Sequence, residues 1–226
     1  MQKFKVATTF LLEENPFAFA RDYFLIRRRA DRDALRRIRA GYVREGEKYS
    51  EYLRPNYFLL YNLYRCYSLR LQRGPALRIL DIGCGAGYFA YICSVFGHDV
   101  QGIDVPDFPV FNEMVRALNV RRTAWRIRPL EKLPGFEGRF DLITAFRTTF
   151  NLATDSNAED NTWGCREWKF LLDDLMENVL ERGGRIYLHL NRAEKYGAFY
   201  DEELLEFFKE RAVSVDDGKI LIRSAE

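Results

Sequence analysis

The chain has 226 residues, of which 47% are hydrophobic and 30% are charged, proportions typical of a soluble globular protein with a sizeable core. No apolar run approaches the roughly 18 residues that a membrane span needs, and Glu13 and Glu14 interrupt the apolar patch near the N-terminus, which argues against a signal peptide. The four cysteines form no C-x-x-C pair, so we expect reduced thiols in a cytoplasmic protein and no metal site.

Positive charge is concentrated in the first third of the chain. The net charge is only +2, but residues 1–75 carry 16 Lys and Arg against 8 Asp and Glu, whereas residues 76–226 carry 19 against 25. This division predicts a basic N-terminal segment, residues 1–75, attached to a mildly acidic domain, residues 76–226.

The N-terminal segment has two helical patterns, which suggest a helical cap. The first spans residues 16–45 and carries nine arginines, eight of them concentrated over residues 27–44: Arg27, Arg28, Arg29, Arg32, Arg36, Arg37, Arg39 and Arg44. The second spans residues 56–72, follows Pro55, and places apolar and aromatic side chains at three- and four-residue steps. Its stripe consists of Tyr57, Leu60, Tyr61, Tyr64, Tyr67 and Leu71.

From residue 76 onward, predicted strands alternate with predicted helices. The strands are 77–82, 99–104, 122–128, 140–146 and 185–191, and the helices are 87–96, 108–118, 165–181 and 201–211. The chain closes with a predicted hairpin of residues 212–215 and 219–223 around the turn 216–218. Such alternation predicts an α/β protein with three layers and a mostly parallel, seven-stranded sheet whose last strand is antiparallel.

A glycine-rich turn follows the first predicted strand. The run Ile79–Ala90 passes from apolar residues through Asp81 into glycines at 83, 85 and 87, and then becomes helical. Glycines permit backbone dihedrals and close approaches that a Cβ forbids, and a strand–turn–helix of this kind offers backbone N–H groups to a ligand. The spacing is G-x-G-x-G, which differs from the G-x-G-x-x-G of dinucleotide-binding folds.

Five features in order resemble the class I S-adenosylmethionine-dependent methyltransferases. They are the glycine-rich turn, Asp104 at the end of the second strand, the strand 140–146, the sequence Gly183-Gly184-Arg185 and the closing hairpin. The resemblance covers about residues 76–226 and implies a Rossmann-like sandwich, S-adenosylmethionine as methyl donor and S-adenosylhomocysteine as product. Residues 1–75 match no family known to us.

The resemblance also implies a set of cofactor-binding residues. They are Asp81, Gly83, Cys84, Gly85, Gly87, Asp104, Val105, Pro129, Leu130, Glu131, Ala145 and Phe146. Asp81 is expected to meet the ammonium group of the cofactor and Asp104 its ribose hydroxyls. Pro129 stands where the family often has an acidic residue that contacts adenine, so the Leu130 backbone or Glu131 would have to replace it.

The acceptor site is expected beside the end of the fourth strand, because ligands of open parallel sheets bind at the carboxyl ends of the strands. Its predicted wall comprises Arg147, Asn151, Trp163, Trp168, Asn191, Tyr57 and Tyr61. The long polar loop 151–164 is either a lid or wall of this site, or an idle insertion. A general base is needed only for a hydroxyl or a protonated amine, and the weak candidates are His189, Asn151 and Tyr49.

Several functions remain open at this stage. The expected activity is methyl transfer to a small-molecule acceptor, with an anionic or natural-product type as one option. The basic segment also allows an RNA methyltransferase, although no RNA-binding module is recognisable. A nicotinamide-dependent oxidoreductase is a further alternative, because its cofactor also has a ribose that Asp104 could bind. A protein that binds the cofactor without catalysis is another, and its only support is Pro129 at the position where the family often has an acidic residue. No membrane partner is expected.

Overall fold

A central β-sheet with helices on both faces organises the molecule. The computed structural model describes residues 15–45, 50–150, 162–191 and 200–225. The strands are β1 (Arg78–Ile82), β2 (Asp99–Asp104), β3 (Arg121–Ala124), β4 (Phe140–Phe146), β5 (Leu180–His189), β6 (Ser214–Asp216) and β7 (Lys219–Arg223). The helices are α1 (Pro16–Arg29), α2 (Arg32–Glu45), α3 (Pro55–Ser68), α4 (Tyr88–Val95), α5 (Pro109–Ala117), α6 (Cys165–Asp174) and α7 (Glu202–Arg211).

The seven strands form one sheet in the order β3-β2-β1-β4-β5-β7-β6. Strands β1 to β5 pair in parallel, and β7 runs antiparallel to both of its neighbours. The predicted Rossmann-like α/β fold with an antiparallel last strand is therefore confirmed. Strand β1 connects to β2 on one side and lies beside β4 on the other, so the carboxyl end of β1 is the topological switch point, where such folds bind ligands.

Alternating side chains divide the core between the two faces of the sheet. Ile79 and Leu142 face a cluster that includes the buried residues of α1 to α5. Leu80 and Ile143 face a second cluster, which contains the buried residues of α6 and α7. Helix α3 of the N-terminal segment therefore packs on the same face of the sheet as α4.

Buried polar bonds hold the N-terminal helices to one another and to the rest of the molecule. The Tyr67 hydroxyl donates to Asp22 Oδ2 at 2.8 Å, and the Tyr91 hydroxyl donates to the Ile26 carbonyl oxygen at 2.8 Å. His98 accepts the Leu77 N–H at Nδ1 and contacts the Leu71 carbonyl oxygen through Nε2 at 2.6 Å. This arrangement gives His98 a structural role and fixes its proton on Nε2.

The helix predicted over residues 16–45 is two helices. Helix α1 ends at Arg29, and the Asp31 side chain accepts the N–H groups of Asp33 and Ala34 at 3.2 and 2.9 Å. Aspartate in this position caps the first turn of a new helix, so the chain restarts at Arg32.

Two strand boundaries also differ from the prediction. The third strand runs over Arg121–Ala124 instead of residues 122–128. The helix predicted to run to residue 181 ends as α6 at Asp174, a π-helical turn covers Leu175–Val179, and β5 begins at Leu180. The pair Gly183-Gly184 lies in an irregularity of the β4–β5 pairing, with Gly183 at φ 71°. The two glycines thus lie within β5, whereas the sequence placed them between a helix ending at residue 181 and a strand beginning at residue 185.

Helices long and apolar enough to cross a membrane do not occur in the part of the chain that the structure describes.

Candidate functional site

The glycine-rich turn joins β1 to α4 with three left-handed residues. Gly83, Gly85 and Gly87 have φ of 70°, 53° and 78°. A Cβ on Gly83 would lie 2.2 Å from Thr148 Oγ1, and one on Gly87 would lie 3.3 Å from methyl groups of two valines. A Cβ on Gly85 would meet nothing nearer than a Phe111 ring carbon at 4.0 Å. Packing within the protein therefore excludes a side chain at 83 and makes one at 87 tight, whereas Gly85 borders open space.

Asp104, the last residue of β2, is bonded to this turn. Its Oδ2 accepts the Gly85 N–H at 2.5 Å, and its Oδ1 accepts the Val105 N–H at 2.7 Å. Burial raises the pKa of Asp104, while the two backbone bonds oppose that shift. A carboxylate has about four acceptor positions, so each oxygen can still accept a hydrogen bond from a ligand hydroxyl.

Asp81 is a buried carboxyl group in β1, an interior strand of the sheet. Only 2% of its surface is exposed, and its Oδ1 accepts the Thr144 hydroxyl at 2.9 Å. Burial raises the pKa of Asp81 to about 7, although the Thr144 bond and the positive charge of Arg65 oppose the shift. A cation that bound nearby would stabilise the ionised form and lower this pKa.

The side chain of Cys84 lies against the neighbouring strand. A Cβ on Gly102 of β2 would be 2.7 Å from Cys84 Sγ, which is why residue 102 has no side chain. Burial raises the pKa of the Cys84 thiol well above its usual range. A ligand would therefore contact the backbone of Cys84 and not its side chain.

Arg65 of α3 reaches the same region, and the sequence interpretation did not include it. Its guanidinium carbon lies over the rings of Tyr61 and Phe146, 4.4 and 4.3 Å from their centroids. One Nη donates to Asn62 Oδ1 at 2.8 Å, whereas the Nε is buried without a hydrogen-bond partner. Burial lowers the pKa of Arg65. The sequence held one signal for the position of Arg65 in this region: it is an arginine one helical turn after Tyr61, within an aromatic stripe.

The chain turns sharply after β4, and this turn brings three predicted residues together. Arg147 has φ 54°, an uncommon value for a residue with a side chain. Its N–H donates to the His189 carbonyl oxygen at 2.7 Å, and its carbonyl oxygen accepts the Asn191 side-chain amide at 2.8 Å. The preceding residues, Ala145 and Phe146, are buried.

His189 ends β5 on the sheet face that carries Phe146. It lies opposite Phe146 of β4 and Lys219 of β7 in the strand register. Burial, together with the positive charges of Arg147, Arg65 and Lys219, lowers the pKa of His189 to about 4. The imidazole is therefore neutral at neutral pH and able to accept a proton.

The predicted adenine-contacting residues lie in the connection between β3 and β4. Leu130 has φ 59° and is 39% exposed, an unusual exposure for leucine at a turn. Glu131 pairs with Arg128 at 3.3 Å. Pro129 and Val105 are half-buried. Their contact with a cofactor stays a prediction.

The predicted acceptor wall divides into three groups. Trp163 and Trp168 are each 3% exposed and pack with Phe150, so core packing accounts for both, and a role in acceptor binding stays a prediction. Tyr57 and Tyr61 stack in parallel at 6.1 Å, with Tyr57 exposed at the surface. The remaining candidates, Tyr49 and Asn151, lie outside the described residues.

No protein-family model and no curated protein matches the chain. Among solved structures, it is similar to the N-methyltransferase NodS from Bradyrhizobium japonicum (19% identity, 72% of this chain, 96% of that chain, TM-score 0.49). It is also similar to a TehB-like S-adenosylmethionine-dependent methyltransferase from Corynebacterium glutamicum (16% identity, 71% of this chain, 86% of that chain, TM-score 0.48). A third such structure is a putative S-adenosyl-L-methionine-dependent methyltransferase from Methanococcus maripaludis (12% identity, 75% and 85% covered, TM-score 0.46). Identities this low carry no information on a substrate.

Proposed function

We propose that the chain transfers a methyl group from S-adenosylmethionine to a small-molecule acceptor that carries an anionic group. One observation carries the proposal: two carboxylates, Asp81 and Asp104, flank a single glycine turn at the carboxyl ends of adjacent parallel strands. The turn between them has one glycine, Gly85, that borders open space.

The residues around the turn fit the donor molecule. Asp81 would hold the ammonium group of the methionine portion, a cation that would stabilise the ionised form of this buried carboxyl group. Asp104 would accept the ribose hydroxyls with its remaining lone pairs. The adenine would lie toward Val105 and the connection that includes Pro129, Leu130 and Glu131. When bound, S-adenosylmethionine supplies a methyl group activated by the positive sulfur.

The strand order favours this reading over a nicotinamide-dependent oxidoreductase. The dinucleotide-binding fold has the parallel order 3-2-1-4-5-6, whereas here the reversed β7 lies between β5 and β6. The turn also has the spacing G-x-G-x-G.

Positive charge near the end of β4 supports an anionic acceptor. Arg147, Arg65 and Lys219 all act on His189, and the acidic neighbour Asp217 opposes them with a smaller effect. An anion in this region would offset the cations and make His189 a stronger base. His189 could then take a proton from a hydroxyl or ammonium acceptor, and the rest of the rate enhancement would come from orientation, which can supply about 7–11 kcal/mol.

Residues 1–75 act, in this proposal, as a cap that contributes directly to the site. Helix α3 supplies Arg65, whose guanidinium reaches the Phe146 ring at the end of β4. The cap would therefore help to select the acceptor by its charge.

Calorimetric titration of the full chain with S-adenosylhomocysteine and, separately, with NAD tests the donor. We expect binding of S-adenosylhomocysteine alone, and tight binding of NAD alone would refute the proposal. Incubation with S-adenosylmethionine labelled at its methyl group, followed by mass spectrometry of metabolite pools, tests the transfer. A labelled product should appear among anionic small molecules. A donor that binds without any labelled product in these pools would contradict the enzymatic part.

A further inference from the structure

An arginine-lined cavity of about 320 Å³ lies between α1, α2 and the beginning of α3. Its arginines come from all three elements and are Arg27, Arg32, Arg36, Arg39 and Arg54. The three from α2 recur at steps of four and three residues, so they share one face of that helix. Tyr57, half-exposed, lines the same cavity.

The positive charge in this cavity is almost uncompensated. No acidic residue lines it. Arg36 has a partner in Asp33 at 2.7 Å, on an exposed part of α2. The other four arginines form no ion pair with any residue in the described part of the chain. By contrast, a second cavity of about 520 Å³ between α2 and α5 includes Glu113 in its lining. Like charges gathered without counterions repel one another, so the arrangement favours an anionic occupant.

Two further observations point to an anion. The Nε of Arg27 is buried and has no hydrogen-bond partner among the described residues, so a donor remains for an acceptor from a ligand. Helix α3 also begins at the cavity, with Pro55 and Asn56 in the lining. It has no side-chain cap and no acidic residue in its first turn. The partial positive charge of a helix N-terminus is thus added to the arginines.

We propose that this cavity binds the phosphate groups of a phosphorylated small molecule. Guanidinium groups match phosphate oxygens in pairs of hydrogen bonds, and several of them balance the multiple charges of a diphosphate better than the single charge of a carboxylate. The volume lies at the lower end of small-ligand sites. The exposed Tyr57 ring offers a face for a planar group attached to the phosphates. This binding does not depend on the proposed methyl transfer.

Inorganic pyrophosphate is the first probe, titrated calorimetrically into the full chain at a constant ionic strength of about 150 mM. We expect saturable binding at one site. Arg27→Gln and Arg54→Gln should each weaken it about 10- to 100-fold, as the loss of a charge-assisted hydrogen bond predicts. The matched control is Arg28→Gln, because Arg28 is exposed on the same helix as Arg27 and lies outside the cavity. It should leave the affinity unchanged.

Arg54 is exposed, so its variant should fold even if Arg27→Gln does not, and circular dichroism checks both. Absence of pyrophosphate binding, or equal weakening by Arg28→Gln, would overturn the proposal. A short RNA oligonucleotide serves as a competitor. If it binds more tightly than pyrophosphate and depends on the same arginines, the cavity belongs to a nucleic-acid surface and the small-molecule proposal fails.

Discussion

The Gly85 N–H donates to the Asp104 carboxylate at 2.5 Å, so the turn after β1 and the end of β2 form one unit. Asp104→Ala removes both this bond and the proposed ribose contact. We expect S-adenosylhomocysteine to bind about 10- to 100-fold more weakly, because hydrogen bonds to charged groups contribute about 1.5–3 kcal/mol. Calorimetry measures the change. Asp107→Ala is the control, since Asp107 lies in the same loop but pairs with exposed Arg126. An equal effect of both variants would count against a specific role for Asp104.

Alanine at Gly83 and at Gly85 should have different consequences. Both residues have positive φ, so each substitution incurs a backbone cost of about 1–2 kcal/mol. Gly83→Ala also places a methyl group against the Thr148 side chain and should lower the free energy of unfolding further. Gly85→Ala has room within the protein and should lower ligand affinity more than stability. Urea denaturation and S-adenosylhomocysteine titration separate the two effects. The reverse pattern would show that Gly85 does not border the cofactor.

Two buried groups should give the stability of the protein opposing pH dependences. The pKa of Asp81 is raised from 3.8 to about 7, so the folded state holds an extra proton and loses stability as pH rises across that interval. The pKa of His189 is lowered from 6.5 to about 4, so the folded state loses stability as pH falls from 6.5 to 4.

The variants Asp81→Asn and His189→Gln separate these contributions. Relative to the parent chain, Asp81→Asn should become more stable as pH rises between 4 and 7. His189→Gln should become relatively more stable as pH falls toward 4, since no imidazole then needs a proton. Urea denaturation at several pH values gives the free energy of unfolding for each chain. Parallel pH curves for all three chains would contradict the assigned environments.

Removal of the Arg65 charge should raise the pKa of His189. The chain has two histidines, so NMR titration of their ring protons gives two assignable curves. In the parent chain His189 should titrate near 4. Arg65→Met keeps most of the apolar stem but removes one of the cations that act on the imidazole, so the midpoint should move upward. An unchanged midpoint for His189 in Arg65→Met would contradict the assigned influence of Arg65.

The buried bond between Tyr67 and Asp22 should contribute measurably to stability. Tyr67→Phe leaves the Asp22 carboxylate with Arg21 as its remaining partner and should lower the free energy of unfolding by about 1–3 kcal/mol. Tyr23→Phe is the matched control, because the Tyr23 hydroxyl makes only an exposed contact of 3.4 Å with the Asn56 carbonyl oxygen. Thermal or urea denaturation should show a near-zero change for it. Similar losses in both variants would indicate a general effect of hydroxyl removal.

The sequence predicted the sheet well because its strands have local signals. The closing hairpin is an example: Asp217 and Gly218 both take positive φ, as a two-residue hairpin turn requires, and β7 lies antiparallel to β5. The break at Asp31 was missed because a capping aspartate inside an arginine-rich run also fits a continuous helix. The pair Gly183-Gly184 predicted a turn between a helix and a strand. In the structure both glycines lie within β5, where the pairing with β4 is irregular.

The site was predictable in part, for a similar reason. Asp81 and Asp104 lie near the carboxyl ends of β1 and β2, and Gly85 lies in the turn after β1, so their proximity follows from topology. Arg65 comes from a helix before the sheet, and no local pattern shows which strand it reaches. The arginines of α1 and α2 meet Arg54 in one cavity because of how the helices pack. Their spacing along the sequence does not reveal this packing.

The position of Arg65 between a ring of α3 and a ring of β4 links cap docking to ligand occupancy. If α3 moved away, the guanidinium would lose the Phe146 face, and its unpartnered Nε would regain water. An anion that satisfied this Nε in place would therefore bind the docked arrangement in preference to the open one. Ligand binding should accordingly slow hydrogen exchange of the α3 amides, even though those amides belong to a segment outside the sheet. The N-terminal helices would then report, through their own local stability, whether the proposed acceptor site is filled.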